Sequence, residues 1–147
     1  MLWAFVLLAL VAGSLFPLQA GINSRLAGVV GHPLKAALVS FAVGFVVLLA
    51  YSFTIRKPWP SLGRMGREPW WLWTGGLCGV IIVFTTIVGA PRLGAAVLIS
   101  LIVAGQMISS ILLDHVGAVG FSRHPVSVWR VVGALLLLGG VVLIRRF

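Results

Sequence analysis

The stretch that decides the fold is PRLGAAVLISLIVAGQMISSILLDHVG, which runs from Pro91 to Gly117. No charged residue occurs from Ala95 to Leu113. This run approaches the roughly 20 residues that an α-helix needs to cross the hydrocarbon core of a bilayer. The stretch therefore predicts a membrane-spanning helix.

Polar residues recur within this predicted helix at every fourth position. Gln106, Ser110 and Asp114 share one helical face, and Ser109 lies beside them. An unpaired amide in hydrocarbon costs several kcal/mol, so this face is expected to point toward protein or a cavity and away from lipid.

The composition extends this conclusion to the whole chain. Of its 147 residues, 61% are hydrophobic and 9% are charged, whereas about 25% are charged in soluble domains. The sequence therefore predicts an integral, multi-pass membrane protein. The net charge of +9 lies in short segments between apolar runs, which is typical of topology signals, so we expect no nucleic-acid partner.

With Cys78 as its one cysteine, the chain offers no intrachain disulfide or cysteine-based metal site, and we expect neither metal nor cofactor.

Five apolar segments are long enough to span a membrane, and we expect a single membrane domain over 1–147. The predicted spans are about 2–21, 34–55, 70–89, 95–113 and 126–144. Four of them are expected to start at or just after a proline, since a proline suits the first turn of a helix. These prolines are Pro33, Pro69, Pro91 and Pro125.

Small residues at a spacing of four favour close packing between helices, as is common in membranes. The residues concerned are Ser40 with Gly44, Gly75 with Gly79, and Gly105 with Ser109. The spacing does not distinguish contacts within one chain from contacts between two chains.

The end of the first span carries a second polar face. Pro17 is expected to kink or loosen the helix, and Gln19 and Asn23 follow on one face. Two interpretations stay open for Asn23, which either lines a site or lies at the solvated end of the helix. Gln19 is expected to face inward, because it lies within or at the edge of the hydrocarbon.

The distribution of basic residues hardly specifies the orientation of the chain in the membrane. With five spans, six basic residues fall on one side and five on the other. The first side carries Arg56, Lys57, Arg64, Arg67, Arg123 and Arg130, and the second carries Arg25, Lys35, Arg92, Arg145 and Arg146. Such a balance favours insertion in both orientations, and an antiparallel homodimer would form a 5+5 inverted repeat. The alternatives are one weakly preferred orientation and pairing with an inverted homologous partner.

Several short motifs together resemble a known family. They are Gln19 and Asn23, Ser40-Phe41 with Gly44, Pro91-Arg92-Leu93-Gly94, Gly105-Gln106, Asp114-His115 with Gly117, and Arg130 with Gly133. In this order and spacing they resemble the YdcZ-type family of the drug/metabolite transporter superfamily, over essentially the whole chain. The resemblance implies five-helix units that assemble antiparallel in the cytoplasmic (inner) membrane, related to the small multidrug resistance exporters.

One departure from those exporters bears on mechanism. They carry a glutamate in the first helix that exchanges protons against cationic drugs, whereas residues 2–25 contain no acid here. Two interpretations remain for Asp114. It couples transport to an ion with the help of His115, or it forms an interfacial ion pair with Arg123 or Arg130.

Two functions are compatible with these features. The first is a secondary transporter, with export favoured, whose pocket is formed by Gln106, Ser109 and Ser110, with Gln19 and Asn23 at its rim. Amides and hydroxyls without a midspan charge favour a small neutral or zwitterionic solute. The second is a structural or accessory membrane protein in which the same groups hold helices together. No HExxH, GxSxG, paired acids or Gly-rich phosphate loop occurs, so we expect no enzyme.

Overall fold

A computed structural model describes residues 2–55 and 57–147, and every element in this part of the chain is helical. In chain order the helices are α1 (Leu2–Val30), α2 (Pro33–Ser52), α3 (Leu62–Met65), a 3-10 helix (Trp70–Thr74) that leads into α4 (Gly75–Leu93), α5 (Ala95–Val116) and α6 (Val128–Arg146). Arg56, which belongs to the predicted charge count, lies outside the described residues.

Five of the helical segments in the described ranges are long and apolar enough to cross a membrane, as predicted. In no span is more than 11% of the apolar window buried inside the chain. Lipid or another protein surface must therefore cover most of the apolar side chains. The all-α membrane fold class is confirmed.

The first helix is longer than the sequence predicted. It continues through Pro17 and past the expected end at Gly21, and it stops at Val30. Gly31 then adopts a left-handed φ of 77°, a conformation that commonly ends helices. The interpretation of Asn23 as a solvated helix end is wrong, because Asn23 lies two turns inside α1 and is buried.

The predicted proline starts are right at two positions and wrong at the other two. Pro33 occupies the first turn of α2, and Pro69 precedes the 3-10 helix. Pro91 lies inside α4 and does not begin the next helix, because the break comes at Gly94 with a φ of 78°. Pro125 lies three residues before α6, whose N-cap is Ser127.

The other predicted bounds differ by a few residues. The second span ends at Ser52 instead of 55, and the third continues to Leu93 instead of 89. The fourth starts at Ala95 as predicted but ends at Val116, and the last is shifted to Val128–Arg146.

The chain divides into two compact units, Met1–Pro91 and Arg92–Phe147, so the single membrane domain stays a prediction. In the first unit, Ala36, Ala37 and Ile87 form a buried cluster. Side chains from α1 and α4 pack against this cluster, namely Leu26, Ala27, Val30 and Val83. Small residues on α2 thus allow α1 to pack closely against it, whereas α4 reaches the cluster through the side chains of Ile87 and Val83.

The second unit contains the last two residues of α4, then α5, α6 and the loop between them. The N–H groups of Gly117 and Ala118 both donate to the carbonyl of Leu113, at 2.9 and 3.1 Å. Gly117 has a left-handed φ of 70°, which is the usual glycine termination of a helix. At the other end of the loop, the Ser127 side chain accepts from the N–H of Arg130 and caps α6.

Candidate functional site

A groove of about 450 Å³ lies along α1 and α2, and we call it the α1–α2 groove. Its apolar lining consists of Ala12, Leu15, Phe16, Leu18 and Ile22. Its polar lining is Gln19 and Asn23 from α1 and Ser40 from α2. A largely apolar wall with a few converging polar groups is typical of small-molecule sites, and this volume falls within their usual range.

Asn23 is the most unusual polar residue of this groove. Its side chain lies at the groove wall, and the residue is only 3% exposed. Its Nδ2 donor has no hydrogen-bond partner among the described residues. Buried polar groups are nearly always hydrogen-bonded, and an unpaired one is costly, so this amide is an exception within α1.

Gln19 and Ser40 complete the polar part of the groove. Gln19 lies one turn before Asn23 on the same face of α1, as predicted, but it is exposed. Ser40 is half-buried, and the sequence assigned it to helix packing alone. Its place opposite Asn23 depends on the register of α2 against α1, which the spacing within either helix does not reveal.

The glycines predicted to pack helices together have different surroundings. Gly79 lies against the Phe41 ring, 3.6 Å from the position that a Cβ would occupy. At Gly44, Gly75 and Gly105, an added Cβ would meet no atom of the described residues within 4 Å. For these three glycines, close packing against another helix stays a prediction.

A second groove, of about 420 Å³, lies between α5 and α6, and we call it the α5–α6 groove. Its polar lining consists of Ser110, Asp114 and Arg130, and its remaining lining is Met107, Ile111, Gly133, Ala134 and Leu137. The Nη1 of Arg130 lies 3.1 Å from the Oδ2 of Asp114. The predicted ion pair of Asp114 therefore forms, and its partner is Arg130.

The alternative partner, Arg123, has a different role. Its Nε donates to the carbonyl of His115 at 3.3 Å, and the N–H of His124 donates to the carbonyl of Asp114 at 2.7 Å. The Nδ1 of His115 accepts from the N–H of Val126 at 3.2 Å. The bonds from Arg123 and His124 satisfy two carbonyls at the end of α5 that have no partner within the helix. His115 and Arg123 thus hold the α5–α6 loop against α5.

The predicted polar face of α5 is only partly gathered into a site. Ser110 and Asp114 line the α5–α6 groove, whereas Gln106 and Ser109 are exposed and are not among its described lining residues. Gln106 is exposed in the described chain, so the contact with protein or a cavity that was expected for this face stays a prediction. Its role in binding stays a prediction.

Five apolar spans in a short chain, with polar side chains collected in grooves between the helices, define a small multi-span membrane protein. Residues 4–143 match the family described as "Putative inner membrane exporter, YdcZ". The chain belongs to this family, which confirms the resemblance found in the sequence.

A named relative agrees with the family assignment. The chain is similar to the inner membrane protein YdcZ of Escherichia coli (strain K12), with 30% identity over 118 residues. The matched region covers 77% of this chain and 75% of the relative. No solved structure matches the chain significantly.

Proposed function

We propose that this protein is a secondary transporter that exports a small neutral or zwitterionic solute across the cytoplasmic membrane. The observation that carries the proposal is the buried, unpartnered amide of Asn23 in the wall of the α1–α2 groove. A solute with a hydrogen-bond acceptor would pair with this amide, and the apolar lining would take the rest of the solute.

The chemistry of the groove favours solutes without a net charge. Its polar groups are two amides and a hydroxyl, from Gln19, Asn23 and Ser40. An amide both donates and accepts hydrogen bonds, but it does not balance a full charge removed from water. A lone cation would keep its desolvation cost in such a groove, since residues 2–25 contain no acid.

The polar face of α5 is proposed to take part in the same transport path. Gln106, Ser109 and Ser110 offer an amide and two hydroxyls, which match the chemistry of Gln19 and Asn23. Their exposure on a single chain is compatible with contact to solute or to a second chain.

The proposed working unit is an antiparallel homodimer, with an inverted homologous chain as the alternative second subunit. The near balance of basic residues on the two sides supports insertion in both orientations. Two oppositely oriented copies would form an inverted repeat, an architecture common among secondary transporters.

Solute accumulation in inverted membrane vesicles tests the proposal. The panel consists of radiolabelled neutral and zwitterionic amino acids and polyols, with the permanent cation tetraphenylphosphonium for comparison. We expect accumulation of at least one uncharged or zwitterionic solute above vesicles without the protein. Asn23→Leu should lower its initial rate about tenfold, as expected for the loss of one strong hydrogen bond.

Ser14→Ala is the matched control for this experiment. Ser14 is an exposed polar residue of α1 outside the groove, and its Oγ donates to the carbonyl of Val11 at 2.8 Å. Its rate should equal that of the wild type. Transport of the cation alone, or an unchanged rate in Asn23→Leu, would contradict the proposal.

Gln106→Leu separates a transporter from an accessory protein. If the face of α5 contacts solute, this variant transports more slowly but keeps the subunit stoichiometry of the wild type. If Gln106 instead holds chains together, the variant assembles less well. Native mass spectrometry of the purified protein measures the assembly, and the vesicle assay measures transport.

A further inference from the structure

The α5–α6 groove has a polar end and an apolar end. Asp114 is the third residue from the end of α5, two before Val116, and Arg130 is the third residue of α6, so the ion pair lies where the connecting loop joins both helices. From there Met107, Ile111 and Leu137 line the groove toward the middle of the spans. Seven residues of helix, from Asp114 back to Met107, cover about 10 Å.

The polar end lies at the height expected for lipid headgroups. Trp129, next to Arg130, is 82% exposed, and tryptophan is enriched at the boundary between hydrocarbon and headgroups. An occupant with its polar part at the ion pair would thus extend its apolar part into the hydrocarbon.

The ion pair leaves some hydrogen-bond donors of the Arg130 guanidinium and one acceptor oxygen of the Asp114 carboxylate free. Arg130 uses Nη1 for Asp114 and for the carbonyl of His124, at 3.1 and 3.3 Å. Within the described residues, the Nε and Nη2 donors of Arg130 and the Oδ1 of Asp114 have no hydrogen-bond partner in the protein. The side chains of Arg130 and Asp114 are 36% and 30% exposed, so a ligand can reach both.

These features select a ligand that carries both charges. An anion alone would face the Asp114 carboxylate, and a cation alone would face the Arg130 guanidinium. A phosphate accepts hydrogen bonds from a guanidinium in a planar geometry that suits Arg. A primary ammonium has N–H groups that donate to a carboxylate, whereas a quaternary ammonium has none.

We propose that the α5–α6 groove binds a phospholipid of the surrounding bilayer that has a phosphoethanolamine headgroup. Its phosphate accepts from Arg130, its ammonium donates to Asp114, and one acyl chain lies along Met107, Ile111 and Leu137. The groove is thus a lipid site that shares no residue with the α1–α2 groove, and Ser110 is the one residue that lines it and also belongs to the proposed transport face of α5.

Native mass spectrometry of the intact protein tests this proposal. The probes are phosphatidylethanolamine, phosphatidylcholine and phosphatidylglycerol with identical acyl chains. We expect the wild type to retain phosphatidylethanolamine about tenfold better than either other lipid, the size of one charge-assisted hydrogen bond. Equal retention of the three lipids would overturn the proposal.

Two variants separate the charge from the apolar part of the groove. Asp114→Asn removes the partner of the ammonium and leaves Arg130 unpaired, so the preference should shift to phosphatidylglycerol. Gly133→Leu keeps both charges and fills the groove, since an added Cβ at Gly133 has no described atom within 4 Å; it should lower retention of all three lipids. Arg145→Gln, the same loss of charge at the other end of α6, is the control and should retain the wild-type preference.

Two other occupants would be recognised in the same experiment. If chainless glycerophosphoethanolamine displaces the lipid at equal concentration, the site takes a free solute and the lipid proposal fails. If Gly133→Leu changes subunit stoichiometry and leaves lipid retention unaltered, a second chain covers the groove, and the proposal fails as well. Gly133→Leu also keeps the test decisive should Asp114→Asn not fold.

Discussion

Asn23 shows how one residue can be kept at a cost to stability. Asn23 is only 3% exposed, and its Nδ2 lacks a hydrogen bond within the described chain. A buried donor without a partner destabilises the folded protein, and natural proteins retain such features mainly where function requires them.

Replacing Asn23 by leucine should therefore stabilise the protein and impair transport. The free energy of unfolding is expected to rise by about 1 kcal/mol, because the unpaired amide disappears and the side-chain size changes little. Thermal unfolding in detergent, followed by intrinsic tryptophan fluorescence, measures this change. Ser14→Ala should leave the melting temperature as it is, and a lower melting temperature for Asn23→Leu would show that the amide has a structural partner.

Gly117 is a second residue whose conformation decides a local structure. It ends α5 with a φ of 70°, and an added Cβ would lie 3.1 Å from the Cβ of Arg123. Gly117→Ala should lower the free energy of unfolding by about 1–2 kcal/mol, from the left-handed backbone and from the contact. The measurement is again the detergent melting temperature.

Gly133→Ala is the matched control for that prediction. Gly133 lies inside α6 in open space, and alanine favours a helix by up to about 1 kcal/mol over glycine. Its melting temperature should equal or exceed that of the wild type. A similar loss at both positions would contradict the role of the left-handed conformation.

At the scale of the helices, the Asp114–Arg130 pair joins α5 to α6 but contributes little to stability. Both side chains are about one-third exposed, and pairs of this kind usually contribute about 0.2–1 kcal/mol. A double-mutant cycle with Asp114→Asn and Arg130→Gln should give a coupling free energy in that range. The coupling should decrease as salt concentration rises, and a coupling that is large and independent of salt would contradict this prediction.

The length of α1 illustrates how helix context overrides a local signal. Pro17 cannot donate a backbone hydrogen bond, yet α1 passes through it and continues to Val30. In a membrane, neighbouring helices and local adjustments compensate for a proline, so the helix persists. This extension is what brings Asn23 into the α1–α2 groove.

At the scale of the whole molecule, the balance of basic residues predicts insertion in both orientations. Six basic residues against five give little bias. Reporters that are active on only one side of the membrane, fused after Phe147, should both be active in cells. Activity of one reporter alone would exclude the self-paired antiparallel dimer and favour an inverted homologous partner.

Changing the charge at the C-terminus should change the orientation. Arg145→Gln together with Arg146→Gln leaves six basic residues against three. The side with more Lys and Arg stays in the cytoplasm, so the C-terminal reporter should shift toward the outer side. Gln19→Ala, which changes no charge, is the control and should keep both reporters active.

Part of the candidate site was accessible from the sequence. The spacing of Gln19 and Asn23 predicted that they share a face, and the scarcity of acids restricted the ion pair of Asp114 to a few basic partners. The choice of Arg130 over Arg123 was not predictable, because it depends on how the loop folds back onto α5. Neither was the place of Ser40, since the register between two helices leaves no trace in the spacing of either one.

The sequence by itself determined that this protein is a helical membrane protein with five spans. Length and hydropathy suffice for that conclusion, because the bilayer requires about 20 apolar residues in each helix and internal pairing of every backbone polar group. The tertiary structure alone decided which polar residues share a groove. Contacts between α1 and α2, and between α5 and α6, depend on side-chain packing across helices, which brings together residues far apart in the chain.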